Sequence, residues 1–127
     1  MSQRLSEIVI GCALEVHRTL GPGFLEPVYA NALAVELLGA HVPFQHNKSM
    51  SVCYRGQVVG EFCCDFLIEG RLILDITALS MTSTDHEARL LNHLKAGDIN
   101  AGLLLNFGAT RLGIKRMVLR HDDAASI

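Results

Sequence analysis

Apolar side chains recur at helical spacing in the first segment of the chain. Leu5, Ile8, Val9, Cys12, Ala13, Val16 and Leu20 fall on one stripe, while Arg4, Glu7, Glu15 and Arg18 lie elsewhere on the wheel. The spacing predicts an amphipathic helix over about residues 5–20, ended by Gly21-Pro22-Gly23. A second helix is predicted from Leu25 to Leu38, with Pro27 in its first turn, where a missing N–H is tolerated. Leu25, Val28, Tyr29, Ala32 and Val35 are expected to face the core, and Gly39 closes the helix.

The period then changes to two. Strands are predicted over Ser49 to Tyr54, Gln57 to Ile68 and Arg71 to Thr77, joined by turns at Arg55-Gly56 and Glu69-Gly70. Strict alternation puts Val59, Glu61, Cys63, Asp65 and Leu67 on one face of the second strand, and Val58, Phe62, Cys64, Phe66 and Ile68 on the other. Ile73, Asp75 and Thr77 share a face of the third, so Asp65, Asp75 and Thr77 are expected to meet at one end of the sheet. Thr84-Asp85-His86-Glu87 reads as a capping box opening a helix to Ala96. The apolar run Ala101 to Phe107 suits a strand buried on both faces, and a last strand covers Ile114 to Arg120. The order ααβββαββ gives a single α/β domain over residues 1–127, with a core over about residues 5–120 and a polar tail over 121–127. Its mixed five-stranded sheet, flanked by helices, joins the third strand to the fourth by a right-handed parallel crossover.

Composition changes this picture in three respects. Half of the residues are hydrophobic and 19% are charged, more apolar than one core of this size readily hides, which suggests a homodimer interface. A net charge of −2 argues against strong non-specific binding to nucleic acid. The four cysteines, Cys12, Cys53, Cys63 and Cys64, form no C-x-x-C pair and read as reduced core residues of a cytoplasmic protein. No leader and no membrane-spanning run is expected.

Candidate chemistry gathers around the carboxylates. Asp65 sits among Cys63, Cys64 and Phe66, where an unpartnered carboxylate is costly. It reads either as a metal ligand or as an acid satisfied by Arg89 or by a backbone amide. Glu26 at a helix start suits the helix dipole as well as a metal. Arg89 is a cation that reaches toward the acids from its helix, either as an internal ion pair or as a catalytic charge. His17, Tyr29, Thr77, His86 and His93 are further side chains that could line such a site, each with a packing alternative.

The run His17 to Tyr29 resembles the signature of the bacterial GxxExxY proteins, with Gly23, Glu26 and Tyr29 at the named positions. The similarity continues through Tyr54-Arg55-Gly56, Asp65, His86-Glu87-Ala88, Leu94-Lys95-Ala96 and Leu104 to Gly108. That resemblance implies a compact, RecB-like branch of the PD-(D/E)XK nuclease superfamily, with a restriction-endonuclease-like core. It implies Mg²⁺ or Mn²⁺ held by Glu26, Asp65 and Asp75, ions that favour carboxylate oxygens. The superfamily's Glu-x-Lys reads Asp75-Ile76-Thr77 here, and its Gln-x-x-x-Tyr reads Arg89-Leu90-Leu91-Asn92-His93. The resemblance therefore implies a degraded nuclease site, weak or inactive, acting as a binding or assembly module. The alternatives are an active nuclease, with Asp65, Asp75 and Arg89 as its catalytic residues, or a structural homodimer.

Overall fold

In the computed structural model, residues 4–80 and 84–120 are described; the polar tail lies outside them. The elements follow as α1 (Leu5–Leu20), α2 (Glu26–Gly39), β1 (Phe44–Tyr54), β2 (Gln57–Ile68), β3 (Leu72–Thr77), α3 (Thr84–Gly97), β4 (Ala101–Asn106) and β5 (Gly113–Val118). The strands form one five-stranded sheet in the order β1-β2-β3-β4-β5. Every neighbouring pair is antiparallel except β3 and β4, which run parallel through the α3 crossover. The expected α/β core and element order are therefore observed.

The sheet divides the interior into two cores. The larger packs Val9, Val16, Leu33 and Leu37 of α1 and α2 against Phe66, Leu74, Leu105 and their neighbours. The smaller packs Leu90 and Leu94 of α3 against Met50, Cys64, Ile73 and Leu104. The central strands β3 and β4 are buried along their whole length, as unbroken apolar runs require. Gly102 on β4 sets how closely α3 approaches: a Cβ there would lie 2.9 Å from the Leu90 side chain.

Four expectations need correction. First, α2 turns Tyr29, Ala30, Leu33 and Leu37 inward, while Leu25, Val28 and Val35 are exposed. The helix is apolar nearly all round, so periodicity had no unique face to choose. Tyr29 fixes the rotation by stacking on Phe107, with centroids 4.9 Å apart, and donating its hydroxyl to the Gly21 carbonyl at 2.6 Å. Second, β1 starts at Phe44, not Ser49; its early residues are mostly polar because this is an edge strand. Third, alternation along β2 slips. Phe62 and Cys64 pack with Leu67 in the smaller core, while Phe66 and Ile68 belong to the larger one. The slip falls between Cys64 and Phe66, at Asp65. Fourth, only Cys12 and Cys64 are buried; Cys53 and Cys63 are exposed, and all four are free thiols. Among the described residues, no helix is long and apolar enough to cross a membrane.

Candidate functional site at the divergence of the second and third strands

Strands β2 and β3 pair only over Phe66–Leu74, Leu67–Ile73 and Ile68–Leu72. The next step of that register would set Asp65 beside Asp75. The ladder stops there, and the Ile76 amide donates to Oδ2 of Asp65 at 2.7 Å. A side-chain carboxylate thus takes the place of a strand carbonyl. The other edge of β2 is interrupted at the same level. His46–Phe66 and Lys48–Cys64 pair, while Asn47 between them adopts φ 57° and faces Asp65 without a ladder pair. Asn tolerates this left-handed region better than most residues. The sheet is therefore opened on both sides of Asp65.

Asp75, fully buried on β3, meets His93 of α3. The His93 Nδ1 donates to Oδ1 at 3.0 Å and lies 2.7 Å from Oδ2, which has no aligned donor of its own. The Phe62 ring packs on the imidazole edge-on, with centroids 5.8 Å apart. Thr77, two residues on, is buried with an unpartnered hydroxyl. The expected pairing of Arg89 with the acids is not formed. Arg89 is exposed, and it takes part in none of the ion pairs among the described residues.

Glu26, the first residue of α2, lies close enough to Asp65, Arg89 and Asp75 for their charges to act on it. Burial, then the Asp65 charge, pushes its carboxyl above the ordinary range against the pull of Arg89. Asp65 is also pushed up, chiefly by burial and further by Asp75. The Ile76 amide, Arg89 and His46 oppose that shift. The Cys64 thiol beside them is pushed up to about 12 by burial and then by Asp75, which keeps it protonated and inert. The structure thus brings Glu26, Asp65, Asp75, Thr77, Arg89 and His93 into one neighbourhood.

His17 and Tyr29 stand elsewhere. The His17 Nε2 donates to the Ala109 carbonyl at 2.9 Å, and Tyr29 braces the loop before α2 by also accepting from the Phe24 amide at 3.1 Å. His86 is half-buried near the start of α3. Two contributors were missed in the sequence. His46 stacks flat on Phe66, with centroids 4.4 Å apart, and its charge reaches Asp65. Asn106 accepts from the Leu79 and Gly108 amides and donates to the Leu79 carbonyl, pinning the chain that leaves β3 to the end of β4. Nothing local marks His46, which lies in the five residues of β1 that precede the expected start at Ser49. Asn106 was detectable as a polar residue closing an otherwise apolar run.

As arranged, these side chains do not fit a divalent ion. Among the described residues no three carboxylate, imidazole or thiolate groups converge on one point. An imidazole nitrogen faces Asp75, and a backbone amide occupies one oxygen of Asp65.

Comparison with known proteins gives matches of different reach. The family model described as the PD-(D/E)XK nuclease superfamily matches residues 3–117. A solved structure titled "Crystal structure of SSO0001" superposes with a TM-score of 0.60 at 16% identity, which speaks to fold alone. The superposition covers 95% of this chain and 60% of that one, so this chain spans less than two thirds of its neighbour's length. None of the curated proteins compared with the chain matches it.

Proposed function

Because this chain belongs to the PD-(D/E)XK nuclease superfamily, we propose that it is a nuclease-like protein whose site has turned from hydrolysis to binding. In this reading it holds a nucleic-acid strand and cleaves it weakly or not at all. On this reading it is a compact, RecB-like member, as the GxxExxY-like run implies, and it works in the cytoplasm.

The observation that carries the reading is the Asp75–His93 pair. An imidazole packs against the buried carboxylate and donates to one of its oxygens from inside the protein. Thr77 supplies no charge in place of the superfamily's lysine. Arg89 is the exposed cation near Glu26 and Asp65, and it is the group we assign to a phosphate of the bound strand. With a net charge of −2, binding rests on this local geometry rather than on bulk attraction.

The test is cleavage of single-stranded DNA, double-stranded DNA and RNA with Mg²⁺ or Mn²⁺, beside Asp65→Ala, together with binding of the same strands. Binding without cleavage is the expected result. Metal-dependent cleavage that disappears in Asp65→Ala would overturn the reading in favour of an active enzyme using Arg89 for the missing lysine. Neither binding nor cleavage would leave a structural role. Self-association is proposed on the exposed apolar residues Val28, Val35 and Leu38 of α2 with Leu25 just before it, and sedimentation of the native chain tests it.

A further inference from the structure

The edge strand β1 carries a feature that phosphate chemistry leaves unused. The His46 ring lies on the buried Phe66 ring at 4.4 Å with only 7° between their planes, yet His46 itself is exposed. Phe44 supports the same Phe66 edge-on at 5.5 Å, so the platform is braced from below. Beside it, both ladders of β2 are broken at Asp65, and Asn47 is held in the left-handed region opposite that carboxylate. This leaves the backbone beside Asp65 without a ladder partner on the β1 side.

Two chemistries therefore adjoin: an aromatic shelf and acceptor-only carboxylates. Glu26 and Asp65 repel a phosphate that approaches without a cation. They accept hydrogen bonds from amino groups, as carboxylates do from the N4 amine of cytosine. A flat ring bearing an exocyclic amine satisfies both at once: its face stacks on His46 and its edge donates to Asp65.

We propose that His46, seated on Phe66 beside Asp65, is a nucleobase site that takes an amino-bearing base of a single strand. This deepens the nucleic-acid binding proposed above and rests on it. Phosphate contact then falls to Arg89 and base contact to His46, so a strand would cross from α3 toward β1.

Binding of fluorescent 12-mers of dC, dA and dT, and of their RNA counterparts, to the full chain tests the proposal by anisotropy. The comparison uses native protein, His46→Ala, His46→Phe and Arg89→Ala, each checked for an unchanged melt. His46→Ala is expected to weaken dC and dA binding by about fivefold or more, the usual loss for one stacked base. His46→Phe keeps the stack and should bind nearly as the native protein does. Native protein should prefer dC and dA to dT, and an abasic strand should bind native and His46→Ala alike. Equal affinity for dT and dC, no effect of His46→Ala, or a loss in His46→Phe as large as that in His46→Ala would each overturn the base site. If Arg89→Ala weakens binding while His46→Ala does not, only the base site falls. If the native chain binds no strand, the proposed function falls with it. The DNA and RNA arms show which backbone the site accepts.

Discussion

The His93 imidazole stands 2.7 Å from the Asp75 carboxylate, and neither group reaches solvent to any useful degree. A buried carboxylate that loses its hydrogen-bonding partner leaves an uncompensated charge, which costs far more than the pair contributes. His93→Ala is therefore expected to destabilise the fold by about 3 kcal/mol. Asp75→Leu combined with His93→Phe removes both partners and should recover most of that loss. Urea unfolding of Asp75→Leu, His93→Phe and the double measures the coupling. Additive losses would mean the two residues do not depend on each other.

Glu26 carries the clearest pH signature. Burial and the charge of Asp65 raise its carboxyl, and burial raises that of Asp65. Both groups hold protons more tightly in the folded chain than in the unfolded one. Their contribution to stability is present in full below the unfolded values, 4.5 and 3.8, and is lost as pH rises through the raised ones. Glu26→Gln should match the native melt at about pH 4 and exceed it by about 2 °C at about pH 7.5, a small gain because solvent screens the half-buried site. A variant less stable than native at the higher pH would show that Glu26 is held by a stabilising partner.

Thr77 hides a hydroxyl that no neighbour satisfies. Thr77→Val keeps the branched shape and removes the orphaned group, so stability should rise by about 1 kcal/mol. Denaturant midpoints at constant slope report it. A loss would mean that a water or ligand normally completes this hydroxyl.

Asn106 holds Leu79, on the chain leaving β3, by two hydrogen bonds and the Gly108 amide by a third. Asn106→Ala is expected to cost about 2–4 kcal/mol, because it strands buried amide and carbonyl groups. Gly108→Ala should be at least as damaging, since its Cβ would fall 2.3 Å from the Leu79 nitrogen. Thermal melts rank the two. A silent Gly108→Ala would show that the 78–79 segment gives way easily.

Much of the scaffold was readable from the chain because local signals and tertiary structure agree. The α1 stripe, the Arg55-Gly56 and Glu69-Gly70 turns and the apolar β4 all behave as their patterns require. Agreement ended where a tertiary contact overrode a local one. Tyr29 chose a face for α2 that hydrophobicity left undetermined. At Asp65 a carboxylate replaced a ladder partner, a substitution no period can announce. Asp65 was read as a ligand or a capped acid, and the amide of Ile76 realises the second. Arg89 was read as the partner of the acids, whereas His93, one turn further along the same helix, meets Asp75. Both lie on α3, but only a fixed helix rotation decides which one faces the sheet.

The unequal division of the interior bears on how such a chain can change over time. Helices α1 and α2 hold up the larger core, so most replacements on their inner faces threaten the whole fold. Helix α3 buries only Leu90, His93 and Leu94. Its remaining surface borders the carboxylates without supporting much weight. A lineage can therefore rewrite the α3 side of the site, exchanging one polar group for another, while the rest of the domain keeps its shape. A scaffold built this way keeps the residues that carry the fold largely apart from those that border the carboxylates.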